Sequence, residues 1–420
     1  MTFVSNLKAP NGRAGRLHNS SLIPGSHACE RISLPRWRCA RRRLVLLPRW
    51  RLELEPPRLE TIIPNSAPES VERSTIRLAV PSKGDMHRQT LDLLRECGLE
   101  VDVRNPRQYR AGICNFPGVE LWFQRPPDIV HKVKDGTLDV GVVGHDLVAE
   151  HNGDSRDVVA LYDRLDFGVC RLGLGVPILW TDVCTVEDLR RRSETMPQPL
   201  RIVTKFPAQS QRFLQAAGLT RYALLYQDGA LEAAVQLGSA DCIIDLISSG
   251  VTLRENNLKE LHGGTVLHSE MQLIGNRARL SADGLQAPDA KRLRAFVREL
   301  VERLDAHFAA REHFNVIANI RGESAGDVAR RLGESTDLVG MDGPTISSVV
   351  PPRGVAHGMY AVGVVVKKTR LYPAMRQLRR VGGRGVCVLP VTFVFDGSAE
   401  RWRRLCAELS ISADEDDLPE

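Results

Sequence analysis

The segment that most constrains the fold is residues 242–255, where an apolar run passes through a hydroxyl-rich turn toward a capped helix. The run from Cys242 to Ile247 is apolar on both faces apart from Asp245, which is typical of a parallel strand covered on both sides. Thr252 and Glu255 have the spacing of a capping box, which predicts that a helix begins there. A buried strand followed by a turn and a helix is a unit of α/β proteins, so the segment predicts an open α/β sheet.

The turn within this segment has the composition of a phosphate site. The backbone NH groups of Ser248, Ser249 and Gly250 can turn inward, and the free NH groups and the positive dipole end of the helix point toward the same anion. Asp245 lies near the carboxyl end of the strand, where open α/β sheets bind ligands. No Gly-Lys-Ser follows the turn, which excludes the common nucleoside-triphosphate loop. The alternative interpretation is an ordinary strand-to-helix turn.

Alternating strand and helix patterns predict two α/β lobes with a cleft between them. The first lobe takes residues 74–177, and its strand at Leu138 to Val143 leads into Gly144, a second turn at which an anion could bind. The second lobe takes residues 178–264 and contains the phosphate turn. Within it, Asp228 is the predicted cap of a helix from Ala230 to Leu237.

The remaining residues complete a periplasmic-binding-protein-like core and add a C-terminal domain. Residues 265–288 are predicted to return to the first lobe, which gives a two-lobed, hinged layout. A connecting helix at 289–311 leads to residues 312–397, whose βαββαβ order predicts a ferredoxin-like α+β domain. Residues 398–420 are predicted to be a tail, with a solvated acidic stretch at Asp414 to Asp417.

The first 73 residues are predicted to be a transit peptide and linker without ordered structure. Up to Arg51 there are eleven Lys or Arg residues and one acid, Glu30, so most of the excess behind the net charge of +6 lies there. This composition predicts delivery to a chloroplast or another organelle, and a basic arm for nucleic acid in a cytoplasmic protein is the alternative. The apolar run Leu44 to Leu47 is too short for a membrane span, and the nine scattered cysteines favour a reducing compartment without a zinc site.

With the cleft and the phosphate turn in view, the sequence resembles the ATP phosphoribosyltransferase family, in its plant-like long form. The family signature is a Glu, a Gly six residues later, a small residue, and then Asp-hydrophobic-x-x-Ser/Thr-Gly-x-Thr-Leu. The matching positions are Glu232, Gly238, Ala240, Asp245, Leu246, Ser249, Gly250, Thr252 and Leu253. Similar flanking segments include Val80 to Gly84, Asn105 to Tyr109, Trp122 to Pro126, Asp139 to Gly144 and Glu255 to Glu260.

The resemblance implies a glycosyltransferase that joins ATP and phosphoribosyl pyrophosphate in the first step of histidine biosynthesis. Phosphoribose passes to N1 of the adenine, and pyrophosphate leaves. The family also implies Mg²⁺ as cofactor, feedback inhibition by histidine through the C-terminal domain, and a homo-oligomer, expected to be a hexamer. Nucleic acid and membranes are not expected partners.

The resemblance assigns two groups of site residues and no acid, base or nucleophile. Residues for phosphoribosyl pyrophosphate are Asp245, Ser248, Ser249, Gly250, Val251, Thr252 and Leu253. Asp245 is expected on the ribose hydroxyls or the metal, or else is a turn carboxylate. Residues for ATP or pyrophosphate are Lys83, Arg107, Arg125, Gly141, Gly144 and Glu232. Alternatives for these are surface ion pairs for the cations, close helix packing for the glycines and a helix-dipole contact for Glu232.

One position departs from the family pattern. The motif at Lys83 usually continues Lys-Gly-Arg, and here Asp85 replaces the arginine. The change predicts weaker nucleotide binding or an altered enzyme, so a catalytically weakened regulatory paralogue is one alternative. A two-lobed binding or sensor protein is the other, although neither an export signal nor a helix-turn-helix is visible.

Overall fold

The structure is a computed structural model that describes residues 75–412, except residues 106, 154, 282–287, 335–337, 339, 342, 351–357, 396 and 398. The predicted transit peptide and linker at 1–73 and the acidic stretch at Asp414 to Asp417 lie outside the described residues. Among the helices within this part of the chain, none is long and apolar enough to cross a bilayer.

A seven-stranded sheet forms the first lobe. Its elements before the crossover are β1 (Ile76–Pro81), α1 (Gly84–Glu96), β2 (Val101–Asp102), β3 (Arg110–Ile113), β4 (Val119–Gln124), α2 (Pro126–Lys134), β5 (Val140–Gly144), α3 (His145–Asn152) and β6 (Val158–Tyr162). β1 is parallel to both β4 and β5 and is buried, as its continuous apolar sequence requires. Turns into α1, α2 and α3 follow the carboxyl ends of β1, β4 and β5, so they meet at one edge of the sheet.

A five-stranded sheet forms the second lobe. Its elements are β7 (Cys170–Pro177), α4 (Val186–Thr195), β8 (Leu200–Thr204), α5 (Pro207–Ala216), β9 (Tyr222–Tyr226), α6 (Leu231–Gln236), β10 (Cys242–Ile247), α7 (Val251–Glu255) and β11 (Leu258–Ser269). The strand order is β11-β7-β10-β8-β9, with β8, β9 and β10 parallel. The predicted boundary at residue 177 is wrong, because β7 pairs with β10 and β11 of the second sheet. Its apolar sequence predicts a strand but does not indicate which sheet it joins.

The chain then returns to the first lobe, but later than predicted, because residues 265–269 still belong to β11 of the second sheet. β12 (Met271–Asn276) lies between β5 and β6 and completes the order β2-β3-β4-β1-β5-β12-β6. The two crossovers between the lobes, 163–169 and the bend at Glu270, are neighbours. The NH of Leu165 donates to the Met271 carbonyl at 2.9 Å, and the NH of Met271 donates to the Phe167 carbonyl at 3.1 Å. The two connections between the lobes therefore lie side by side.

The C-terminal domain has the predicted βαββαβ order. Its elements are β13 (His313–Arg321), α10 (Ala325–Gly333), β14 (Thr345–Ser348), β15 (Met359–Lys367), α11 (Leu371–Arg380) and β16 (Arg384–Pro390). The antiparallel sheet has the order β14-β15-β13-β16. A core of its own, which includes Val316, Val328, Val364 and Leu378, is separate from the core of the first lobe. The domain is joined to the lobes through α8 (Arg277–Leu280) and the long helix α9 (Pro288–Arg311).

Part of the segment predicted as a tail is a helix, α12 (Glu400–Leu409). Trp402, Leu405, Cys406 and Leu409 are buried in the core of the first lobe, against residues from α9 and the seven-stranded sheet. The spacing of these residues places them on one helix face. The end of the described chain therefore packs onto the first lobe.

Candidate functional site

A cavity of about 390 Å³ lies between the two lobes, at the carboxyl ends of strands from both sheets. Carboxylates and a lysine approach it from the two sides. Asp146 follows β5 in the first lobe, whereas Lys205, Asp228 and Asp245 belong to the second. Apolar side chains, among them Met86, Leu147, Phe206 and Met271, form much of the remaining wall. A mostly apolar cleft with a few convergent charges is the usual form of a small-molecule site.

Asp245 lies in β10, two residues before the end of the strand. The pKa of its carboxyl is raised to about 6, chiefly by burial and also by the nearby charge of Glu232. The NH of Leu246 donates to the carboxylate at 2.7 Å, and Lys205 stabilises its charged form. Asp245 lines the cleft, and Glu232 of α6 is near enough for its charge to act on the Asp245 carboxyl.

Asp228 and Lys205 form an ion pair at the mouth of the cleft, 2.6 Å apart. This hydrogen bond lowers the pKa of Asp228, and the charge of Arg125 in the first lobe lowers it further. The predicted role of Asp228 as a helix cap is wrong. α6 begins after Ala230, whose φ is 51°, and no side chain caps it, because the Asp228 carboxylate faces Lys205 instead.

The phosphate turn is open to solvent. Ser248, Ser249, Val251 and Thr252 are exposed, while Leu253 is buried beneath them. Gly250 has φ of 71°, a left-handed conformation that glycine adopts without strain. Within the described residues, the backbone NH groups of Ser249, Gly250 and Thr252 make no hydrogen bond in the protein. The turn therefore presents several NH donors to a ligand.

The predicted capping box in this turn is absent. Gly250 is the N-cap of α7 and no side chain caps the helix, because Thr252 already lies within its first turn. The hydroxyl of Ser249 accepts weakly from the NH of Val251 at 3.4 Å. α7 has five residues, so its contribution is a set of free NH groups and not a long helix dipole.

Arg171 fixes the position of the turn from behind. Its guanidinium makes a two-point ion pair with Glu260 on the neighbouring strand β11, including a bond from Nε at 2.7 Å. Its Nη1 also donates to the carbonyl of Ser248 at 3.2 Å. Planar two-point contacts hold guanidinium groups in one orientation. The Ser248 carbonyl is thereby held by Arg171, which anchors the beginning of the turn to β7.

The turn at Gly144 in the first lobe differs from the prediction of an anion site. Asp146 is buried, with 5% of its surface exposed, and its carboxylate accepts from Ser269 Oγ at 2.5 Å. A Cβ atom on Gly144 would lie 2.3 Å from Asp146 Oδ1. Glycine is therefore needed at 144 to make room for a carboxylate. This carboxylate occupies the start of α3, the place where a phosphate was predicted.

The other predicted residues are more dispersed. Lys83 and Arg125 are exposed at the starts of α1 and α2, on the cleft edge of the first sheet. Arg107 is exposed on the loop between β2 and β3, toward the outer strands of that sheet. Gly141 does not face the cleft, since a Cβ there would lie 2.4 Å from Ile129 of α2. Close helix packing, the alternative interpretation, accounts for Gly141.

Sequence reasoning missed three cleft residues that follow strands. Lys205 comes directly after β8, and Phe206 begins the turn into α5. Asp146 comes two residues after the end of β5. All three lie at carboxyl ends of strands, so the rule that located Asp245 also applies to them. The signal was present, but no motif drew attention to it.

Comparison with known proteins identifies the family of this chain. The family described as "ATP phosphoribosyltransferase" matches residues 125–306, and "HisG, C-terminal domain" matches residues 310–392. "ATP phosphoribosyltransferase 1, chloroplastic" from Arabidopsis thaliana is 41% identical over 353 residues, covering 83% of this chain and 84% of the relative. The chain belongs to the ATP phosphoribosyltransferase family.

A second relative and a solved structure carry related names. "ATP phosphoribosyltransferase 2, chloroplastic" from the same plant is 42% identical and covers 83% of this chain and 84% of the relative. The solved "ATP phosphoribosyl transferase (HisG:HisZ) complex from Thermotoga maritima" is 21% identical, with a TM-score of 0.43 over 55% of this chain and 99% of that chain.

Membership of the ATP phosphoribosyltransferase family confirms the predicted activity at the level of the family. The protein is a transferase of the first step of histidine biosynthesis, and enzymes of this type generally use a divalent metal. The word "chloroplastic" in the names of both plant relatives supports the predicted plastid location.

Proposed function

We propose that the phosphate of phosphoribosyl pyrophosphate binds at the turn from Ser248 to Leu253. The observation that carries this proposal is the exposed row of NH groups at Ser249, Gly250 and Thr252, which no protein group accepts within the described residues. Successive free NH groups at a helix start form an anion site. The Ser249 and Thr252 hydroxyls add two further donors.

The sugar then extends from the turn toward Asp245. A carboxylate at this position can accept hydrogen bonds from the two ribose hydroxyls. Its oxygen atoms also suit a hard cation, and we propose that the divalent metal is Mg²⁺. Within the described ranges, no group of three or more His, Cys, Asp or Glu side chains forms a metal cage. Mg²⁺ commonly keeps few protein ligands and takes substrate phosphates and waters for the rest.

The polyphosphate groups of both substrates need cations. Lys83 and Arg125 lie at the cleft edge of the first lobe, and Lys205 faces them from the second. We place the triphosphate and the leaving pyrophosphate among these three side chains, with Arg107 nearer the outside. Asp85 adds a negative charge beside Lys83, but its carboxylate pairs with Arg88 at 2.9 Å. This pairing offsets part of the repulsion that Asp85 would otherwise exert on a nucleotide.

The chemistry needs alignment more than a reactive side chain. N1 of adenine attacks the anomeric carbon, whose bond to pyrophosphate breaks through a cationic sugar. Alignment of two substrates in one cleft can contribute roughly 7–11 kcal/mol to such a step. A bound metal neutralises charge on the leaving pyrophosphate. The protein holds the sugar at the turn, excludes water with the apolar wall and directs cations at the departing group.

The test is release of pyrophosphate from ATP and phosphoribosyl pyrophosphate by the purified protein. Replacement of Ser249 and Thr252 together by alanine should raise KM for phosphoribosyl pyrophosphate by about tenfold or more, with little change in KM for ATP. Equal changes in both constants would contradict the phosphate assignment. A protein that forms no pyrophosphate at any concentration would favour a weakened regulatory paralogue, the alternative that Asp85 raises.

The C-terminal domain and the N-terminal segment have separate proposed roles. We propose that residues 312–397 bind histidine as a feedback inhibitor and that the enzyme assembles as a hexamer. We also propose that the segment before residue 74 is removed in the plastid, which predicts a mature protein that begins between about residues 45 and 75. Sequencing of the amino terminus of protein isolated from the source cell checks this, and an intact amino terminus would contradict it.

A further inference from the structure

The turn at Gly250 in the second lobe and the turn at Gly144 in the first lobe have opposite electrostatic character. In the second lobe, the turn at Gly250 presents free NH groups. In the first lobe, the corresponding turn at Gly144 is already filled by the carboxylate of Asp146, which lies within reach of the NH groups of Asp146 and Leu147. A phosphate is therefore attracted to the turn at Gly250 and repelled by the turn at Gly144.

The Asp146 carboxylate has the imidazole of His145 beside it but no lysine or arginine partner within the described residues. Its side chain lines the cavity, yet it forms no ion pair with any lysine or arginine in the described part of the chain. Besides the backbone NH groups of Asp146 and Leu147, it contacts the hydroxyl of Ser269, which is also buried. Burial raises the pKa of the Asp146 carboxyl. A desolvated carboxylate of this kind is stabilised by a ligand that donates hydrogen bonds or carries positive charge.

The surroundings of Asp146 suit a flat apolar ring. Met86, Leu147, Phe206 and Met271 line the same cavity, and Phe206 and Met271 are almost fully buried. Gly168 comes close to this wall, since a Cβ there would lie 2.7 Å from Met271 and 2.9 Å from Met86. The carboxylate is thus the polar group on an otherwise apolar part of the first-lobe wall.

We propose that Asp146 accepts a hydrogen bond from the exocyclic amine of the adenine ring and stabilises the charge that the ring gains during the reaction. This inference rests on the proposed function. The displacement forms the bond between N1 and the anomeric carbon and breaks the bond from that carbon to oxygen, whose electron pair leaves with pyrophosphate. The ring acquires one positive charge, shared over N1, C6 and the amine nitrogen. The amine keeps its protons, and Asp146 faces the charged group.

The experiment compares ATP with purine ribonucleoside 5′-triphosphate, which lacks the amine and is otherwise the same. The wild-type protein should bind ATP about tenfold or more tightly, the usual range for one hydrogen bond to a charged group. In Asp146→Asn this ratio should fall to within about threefold, because the acceptor is no longer charged. Its kcat/KM for ATP should fall by about 10- to 100-fold, while the affinity for phosphoribosyl pyrophosphate alone stays within about twofold.

Two further variants make the result decisive. Asp182→Asn removes an exposed carboxylate of the second lobe that pairs with Arg192, and it should leave the ATP preference unchanged. Ser269→Ala keeps the Asp146 carboxylate but removes the hydroxyl that orients it, so the preference should fall by about threefold. If Asp146→Asn does not fold, Ser269→Ala carries the test.

An unchanged preference for ATP in either cleft variant, or no preference in the wild type, would overturn the role of Asp146. Failure of the proposed function is a different result, in which the wild-type protein forms no pyrophosphate from ATP and phosphoribosyl pyrophosphate. Nucleotide binding measures the first outcome, and pyrophosphate release measures the second.

Discussion

Asp245 is a carboxylate whose charge the folded protein disfavours. Its pKa of about 6 lies above the ordinary value of 3.8, chiefly because of burial. Between these two values the folded state holds a proton that the unfolded state has released. The stability of the protein without ligand therefore falls as pH rises through this window, and the penalty is complete above about pH 6. A buried charge that lowers stability in this way is expected at a site where the carboxylate binds a cation or the hydroxyl groups of a ligand.

Asp245→Asn should consequently stabilise the protein and impair the enzyme. At about pH 8 the neutral amide avoids the penalty of a buried charge, so Tm should rise by about 2 °C or more, and the gain should shrink as pH falls below about 6. The value of kcat/KM for phosphoribosyl pyrophosphate should fall about 10-fold or more. Thermal unfolding and steady-state kinetics over the same pH range measure both effects. A lower Tm at high pH would contradict the buried-charge interpretation.

A cleft residue could be predicted from the sequence where a charged side chain stood near the carboxyl end of an apolar strand. Asp245 was found because it interrupts an apolar strand just before a turn. Asp228 was assigned to a cap because its neighbours in sequence were known and Lys205, its partner in space, was not. Asp146 follows an equally clear strand. Its carboxylate fills the turn at Gly144 because it is held there by Ser269, which is distant in sequence and could not be identified as its partner.

At the scale of elements, the phosphate turn depends on one backbone conformation. Gly250→Ala should strain the left-handed backbone by about 1–2 kcal/mol and alter the direction of the neighbouring NH groups. We expect KM for phosphoribosyl pyrophosphate to rise several-fold with little change in KM for ATP. Gly263→Ala is the matched control, because Gly263 has φ of 75° against 71° at Gly250 and open space around it. A similar rise in KM for the control would show that general destabilisation is responsible.

Helix α12 makes a testable contribution to the first lobe. Trp402 is 2% exposed and packs in the core of that lobe, so Trp402→Ala should destabilise the protein by about 3–5 kcal/mol. Arg403→Ala, on the exposed face of the same helix, should change Tm little. Thermal unfolding compares the two variants. Equal Tm values would mean that α12 does not hold the lobe together in solution.

The individual strands and helices were predicted better than the elements with which they pair or pack. The apolar strands and the βαββαβ order follow from local patterns that the structure retains. The sheet to which β7 belongs and the packing of α12 depend on contacts between distant segments, which no local pattern encodes. The capping box failed for a similar reason, because Gly250 sets the start of α7 two residues earlier than the side-chain spacing indicated.

At the scale of the whole molecule, we expect that the C-terminal domain can be removed while α12, the helix that follows it, is kept. The NH of Val394 donates to the carbonyl of Ala306 on α9 at 3.0 Å, so the chain returns close to the point from which it left. A linker of about four residues in place of 313–392 spans such a gap. This variant should keep turnover and lose the proposed inhibition by histidine, because the core of the domain is separate.

Truncation from Phe314 onward provides the comparison for this prediction. It also removes α12, and should therefore lose stability and turnover together with inhibition. Pyrophosphate release with and without histidine distinguishes the variants. Inhibition that survives replacement of 313–392 would place the histidine site elsewhere.

The adjacent crossovers between the lobes have a mechanical consequence. Backbone hydrogen bonds link Leu165 and Phe167 to Met271, so the two connections lie side by side. Adjacent connections of this kind favour a hinge motion, in which one lobe rotates relative to the other and opens the cleft. The backbone torsion angles that change most in such a motion belong to the few residues of the crossovers.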